Sequence, residues 1–299
     1  MILKKLNVKD RRVFEKFLGL NQHELSVYAW ENILIWKGLY DIRWALLDKA
    51  LCVFFIDKIG CFQYLTPLGK NINGGVLRKS FEVMDAFNKN KEISRIENIE
   101  SKDIWLYRKI GYNCRIKSYD YLCNRLDLAQ LPGNRFKSKR ACCNYFVKNF
   151  SFEYQPFSLR YKKGCLSLYN LWMEQRKAQR NDFLYRGMLK DSQACLKEAL
   201  DSFVDLDLTG RVVTINNEVR GFTFGYELNQ ETFCVLFEIT DLTVKGLAQF
   251  IFREFSRELK NYKYINIMDD SGLKNLREVK HSYQPVQLVP SFTLARRYA

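Results

Sequence analysis

Carboxylates, amines and a phenol fall in the last quarter of the sequence at places that suit acyl transfer. Glu238 closes a β-rich run ahead of a loop, and Asp270 follows the next such run. An amine attacks a carbonyl through its neutral lone pair, so a carboxylate at either place could take or orient the proton that must leave. The structural alternative is a strand-end carboxylate paired with a surface lysine. Lys280 and Tyr283 lie on a helix and at its exit. An ammonium or a buried phenol there could stabilise the oxyanion of a tetrahedral intermediate; packing ahead of Pro285 is the other reading of Tyr283. A third cluster lies upstream. Lys137, Lys139, Arg140 and Lys148 lie on or near one helix with Tyr145, Phe146 and Phe150. Cations hold phosphates while aromatic rings stack on bases, which suits a nucleic-acid arm such as a tRNA acceptor end. The same pattern also describes a helix with one solvated basic face and one buried aromatic face.

Other chemistries have less to work with. A nucleophilic thiol wants a base beside it, and of the two histidines, His23 and His281, only the second is well placed, with no local signature tying it to a cysteine. Nine cysteines without a C-x-x-C give neither zinc-finger spacing nor an even disulfide set, so free thiols in a reducing cytoplasm are expected. Lysine and arginine outnumber aspartate and glutamate by 48 to 33, and the resulting +15 favours anionic partners: nucleic acid, phosphorylated carriers or an anionic lipid surface. No apolar run is long enough to span a bilayer, so any membrane contact is expected to be peripheral.

These residues need a scaffold, and the periodicities supply one. Helical spacing at Val13, Phe17 and Leu20, continued from Tyr28 to Trp36, opens the 299-residue chain. Short strands are predicted at 40–47, 50–56 and 61–65, with turns at Asp48-Lys49 and Asp57-Lys58. A Gly-rich loop at Asn73-Gly74-Gly75 follows, then a helix with Leu77, Phe81 and Met84 on one face, a strand at 93–97, a helix at 103–110 and strand structure at 112–122. The second half repeats the order. Strands at 211–215 and 219–227 flank Asn216-Asn217-Glu218, and a third covers 232–239. A helix from Gly246 turns Leu247, Phe250, Ile251 and Phe255 inward; a strand at 264–268, a helix at 273–280 and a strand at 286–294 complete it. Helices are expected between the halves at 136–148, 166–178 and 192–203. The same order occurring twice points to a duplication with a boundary near Pro156, giving domains 1–156 and 157–299.

An antiparallel meander feeding a loop and a helix N-terminus resembles the GNAT-type acyltransferase fold, in which backbone N–H groups at the helix start bind a pyrophosphate. Thr243-Val-Lys-Gly246-Leu-Ala248 keeps the small residues of the corresponding signature, with Thr first. A cap or a close packing contact is the structural alternative for such a glycine. A more specific likeness runs through Tyr119-Asp120-Tyr121, the Leu131–Gly133 turn, Lys139-Arg140, Asn144 and Phe146. It continues through Pro67-Leu68-Gly69 and Arg95-Ile96-Glu97-Asn98 in the first half. In the second it includes Trp172, Gly221, Glu238, Gly246, Asn266, Asp270, Gly272, Leu276, Lys280, Ser282, Tyr283 and Pro285. On these residues the chain resembles the phosphatidylglycerol lysyltransferase C-terminal domain family, a tandem GNAT-type family whose members include aminoacyl-tRNA-dependent transferases. The likeness covers nearly everything from about residue 40 onward.

The resemblance implies an α/β (α+β) fold of two GNAT-like domains, each a mixed, mostly antiparallel sheet flanked by helices. It implies catalytic roles for Glu238, Asp270, Lys280 and Tyr283. It implies donor contacts from Lys137, Lys139, Arg140, Asn144, Thr243, Gly246, Ala248 and Asn266, with no metal. The sequence departs from the family at Ile239-Thr240, where Lys-Ala is usual, and at Ile267-Met268, where Arg-Glu is usual. Three functions are therefore expected to compete: aminoacyl transfer from aminoacyl-tRNA to an amine or hydroxyl acceptor, N-acyl transfer from acyl-CoA, and binding without catalysis.

Overall fold

The computed structural model describes residues 3–180 and 182–297, and the chain divides into two compact units. In chain order the first unit contains β1 (Lys4–Lys5), α1 (Arg11–Leu18), α2 (Trp30–Leu34), β2 (Asp41–Leu47), β3 (Ala50–Ile56) and β4 (Cys61–Gln63). It continues with α3 (Gly74–Phe87), β5 (Ile96–Glu100), α4 (Ser101–Lys109) and the opening part of β6 (Asn113–Asn124). The second unit takes over at Tyr121 within β6 and holds α5 (Arg125–Gln130), α6 (Lys137–Asn149), β7 (Glu153–Pro156), α7 (Lys162–Gln179) and α8 (Phe183–Asp201). After these come β8 (Thr209–Ile215), β9 (Glu218–Asn229), β10 (Thr232–Thr240), α9 (Leu247–Glu258), β11 (Tyr264–Asn266) and α10 (Lys274–His281). β12 (Gln287–Ala295) belongs, from Leu288 on, to the first unit again, as do residues 269–272.

The duplication is visible in the strands. β2-β3-β4-α3-β5-α4-β6 and β8-β9-β10-α9-β11-α10-β12 are the same series. In each, the first three strands form an antiparallel meander and the third runs parallel to the fourth. The closing strands are exchanged. β12, which ends the second series, pairs antiparallel with β5 of the first, while β6, which ends the first, pairs antiparallel with β11. The first unit's sheet therefore has the order β1-β2-β3-β4-β5-β12-β6 and the second's β6-β11-β10-β9-β8-β7. This exchange moves the division from the expected 156/157 to Asp120/Tyr121 and makes the first unit discontinuous. A single cut cannot be read from a periodicity that says nothing of strand partners.

Local chemistry explains most boundaries. Asp48-Lys49 and Asn216-Asn217 all have positive φ, 47°, 68°, 52° and 64°. Two adjacent left-handed residues are what a type I′ hairpin turn requires, and they set the registers Leu47↔Ala50 and Ile215↔Glu218. Asn73 caps α3 by accepting from the N–H groups of Gly75 and Val76. On α9, Leu247, Phe250, Ile251 and Phe255 are all buried; each contributes roughly 1.5–3 kcal/mol by leaving water. The fourth strand starts later than expected, at Ile96, because Asn90 caps a short 3-10 turn at Lys91–Ile93. The third linking helix starts earlier, at Phe183 rather than Ser192, because the Asp182 carboxylate accepts from Tyr185 N–H. β11 stops at Asn266 because the chain turns left-handed at Met268 (φ 61°), with the Met268 N–H held by Asn266 Oδ1 at 2.7 Å. β7 and α5 were not foreseen, and 28–36 is only a short helix followed by a 3-10 turn.

Candidate active site in the second unit

Glu238 sits near the end of β10. A register irregularity between Val235 and Phe237 precedes it, and such bulges re-aim the side chains that follow. The residue is half-buried, yet its Oε2 is sealed from solvent and has no hydrogen-bond partner. Burial pushes its carboxyl from the ordinary 4.5 up to about 8, against the opposing pull of the Lys139 and Lys280 charges. At neutral pH the group is therefore mostly protonated, and it becomes a base at mildly alkaline pH. Thr223 stands directly opposite on β9; it is fully buried, and its Oγ1 also lacks a partner. Residues opposite one another in adjacent strands share a face of the sheet, so two unsatisfied polar groups flank the same spot. Sequence reasoning missed Thr223. Its signal was a lone hydroxyl in the otherwise apolar alternation Phe222-Thr223-Phe224.

Lys139 comes to this place from α6. Its ammonium donates to Ser282 Oγ at 2.7 Å and lies 4.2 Å from the centre of the Tyr283 ring. Burial lowers its pKa, with Cys142 and Glu238 acting in the opposite direction. Lys280 is buried on α10 and donates to the backbone carbonyls of Ile267 and Met268. Ile267 and Met268 thus meet Lys280 through their main chain. Tyr283 is buried against Phe252, ring centroids 4.7 Å apart, and burial followed by the Glu238 charge keeps its hydroxyl protonated. Glu238, Lys139, Lys280 and Tyr283 are thus brought together. Asn266 is buried in β11, beside Cys234 of β10 in register, and supports the turn that carries the Ile267 and Met268 carbonyls.

Other expected site residues have structural duties. Asp270 belongs to the first unit, where its Oδ1 accepts from Gly272 N–H. Its sequence position after a strand did not reveal that the chain leaves the second unit at 269. Arg140 donates through Nη1 to the carbonyls of Leu131 and Gly133, holding the turn after α5. On α6, Phe146 is core, packed on Phe150, Phe152 and Phe250, which is the structural alternative for that face. Lys137, Asn144, Lys148 and Tyr145 are exposed, with the Lys245 ammonium 4.7 Å from the Tyr145 ring centre.

The loop ahead of α9 is closed on itself. Asp241 is buried and accepts from Thr243 N–H and Oγ1, Gln175 Nε2 and Arg220 Nη1. Burial alone would raise its pKa; these donors hold it below the ordinary value. Leu242 N–H goes to Gln175, Val244 N–H to the Asp241 carbonyl and Leu247 N–H to the Val244 carbonyl. Gly246 is left-handed (φ 86°), and a Cβ there would lie 2.1 Å from the Cys142 carbonyl oxygen of α6. Close packing accounts for this glycine, and several amides needed to cradle a pyrophosphate are already engaged. Ala248 follows, half-buried, in the first turn of α9.

The model of the phosphatidylglycerol lysyltransferase C-terminal family matches residues 20–295. The chain belongs to this family. Membership makes it an acyltransferase of GNAT-like fold. A conserved protein of unknown function from Bacteroides thetaiotaomicron is 28% identical, with 99% of this chain and 100% of that one covered and a TM-score of 0.87. L-PGS from Bacillus licheniformis is 16% identical, covering 100% and 95%, with a TM-score of 0.66. FemX is 9% identical, covering 98% and 97%, with a TM-score of 0.61. The last two share the fold. No curated protein matches. Among the described residues no helix is long and apolar enough to cross a membrane, and no group of three or more metal-ligating side chains occurs.

Proposed function

We propose that this family member moves an aminoacyl group from an aminoacyl-tRNA to an amine or hydroxyl acceptor, working in the cytoplasm at or near an anionic membrane surface. The observation that carries the reading is the Glu238 carboxyl, sealed on one oxygen and within electrostatic reach of the Lys139 and Lys280 ammonium groups. In this scheme the acceptor N–H or O–H gives its proton to ionised Glu238 as its heteroatom bonds to the ester carbonyl carbon. The carbonyl pair moves onto oxygen, where the Lys139 charge stabilises it. The intermediate collapses by breaking the bond to the ribose oxygen, and Glu238 returns the proton to that leaving group. The exposed Lys137, Lys148 and Tyr145 suit a nucleic-acid end. The self-closed Asp241–Leu247 loop favours this donor over acyl-CoA.

The test is transfer from a panel of labelled aminoacyl-tRNAs to phosphatidylglycerol vesicles and to small amines, across pH. The rate should rise with pH and level off above about 8, as Glu238 ionises, and E238Q should abolish it. tRNA binding should weaken steeply with salt. Transfer from acyl-CoA but not from aminoacyl-tRNA would overturn the donor assignment.

A further inference from the structure

Two strongly exposed apolar side chains of the second unit stand side by side at the start of α8. Phe183 is 88% and Leu184 70% exposed, adjacent in the first turn of α8. The next two apolar anchors of that helix, Tyr185 and Leu189, are buried, and Leu189 C=O accepts from Tyr169 of α7 at 2.9 Å. The tip is therefore held on its inner side while Phe183 and Leu184 face water. Asp182 caps α8 by accepting from Tyr185 N–H at 2.8 Å, and Arg180 pairs with Asp182 and lies 5.2 Å from the Tyr185 ring centre. A wedge fixed in this way loses little conformational freedom on insertion.

Charge says what the wedge meets. From Arg176 to Lys190 the sequence carries Arg176, Lys177, Arg180, Arg186 and Lys190 against Asp182 alone, a net +4 in fifteen residues. Arg180, Arg186 and Lys190 are exposed. Two side chains of this size offer roughly 300 Å² of apolar surface, far below the ~800 Å² per partner of a stable protein interface. Two apolar side chains ringed by cations match the boundary of an anionic bilayer, where modest apolar burial and attraction to phosphate headgroups act together.

We infer that the α7–α8 tip is a membrane-docking wedge, with Phe183 and Leu184 entering the acyl boundary of an anionic leaflet and Arg180, Arg186 and Lys190 engaging the headgroups. The inference rests on the membrane contact proposed above and names the surface that makes it. The experiment is flotation of the full chain with vesicles of phosphatidylglycerol and phosphatidylcholine, and of phosphatidylcholine alone. F183S/L184S, R180Q/R186Q/K190Q and F183W are compared with the parent. The parent should float with the anionic vesicles only. F183S/L184S should bind them at least about tenfold more weakly, with unchanged melting temperature and unchanged transfer to a soluble amine. The charge variant should lose the salt dependence of binding, and F183W fluorescence should shift to the blue on anionic vesicles. If the parent binds and F183S/L184S binds equally well, the wedge is overturned while the membrane reading stands. If the parent does not bind anionic vesicles, both are overturned.

Discussion

At the residue scale, Glu238 links catalysis to stability with opposite signs. Its folded-state pKa, about 8, lies above the ordinary 4.5 of an unfolded chain. The native state therefore binds the extra proton, and the contribution to stability is complete below about 4.5 and lost as pH rises through 8. The scale is roughly 1.4 kcal/mol for each pH unit between the two values, reduced by the residue's partial exposure. E238Q, neutral at every pH, should match the parent's melting temperature at pH 4 and exceed it progressively toward pH 9. Thermal melts across that range check this, and parallel curves for the two proteins would remove the assigned shift. Thr223 behaves similarly. A buried hydroxyl without a partner is unfavourable, so T223V should stabilise by about 1 kcal/mol in urea titrations. Its transfer rate should fall, since the face it shares with Glu238 loses its second polar group.

At the element scale, the join between α6 and α9 leaves no room for a Cβ at Gly246. G246A would force a left-handed alanine against the Cys142 carbonyl, and a destabilisation of about 3 kcal/mol is expected in denaturant unfolding. Intact stability would mean that α6 can move away. This joint also shows what a sequence reveals. The meanders, the hairpin turns and the inward face of α9 were legible because alternation, turn residues and helical spacing are local signals. The gathering of Lys139 and Lys280 around Glu238 was legible only in part. Lys139 was read as a phosphate ligand, yet it comes from a helix about a hundred residues away in sequence and bears on the carboxyl itself. Asp270, Arg140 and Gly246 hold turns or pack closely, duties that use the same residue types as catalysis and anion binding.

At the scale of the whole molecule, the exchanged closing strands govern behaviour. A chain ending at Val286 lacks β12 and leaves β5 without its antiparallel neighbour, although β12 follows the second series in sequence. Hydrogen exchange measured by mass spectrometry should show loss of protection at Ile96–Glu100, far from the deletion in sequence, while β8–β10 stay protected. Uniform loss over both units would indicate a single cooperative structure. The same wiring has a temporal side. On the ribosome, where domains usually fold as they emerge, translation must run on from β5 through the whole second series before the segment that completes the first unit's sheet appears. For most of that interval the nascent β5 presents an open hydrogen-bonding edge of the kind that recruits foreign strands. Biogenesis of this protein should depend on a chaperone or on rapid elongation, and slow codons placed downstream of β11 should lower its soluble yield.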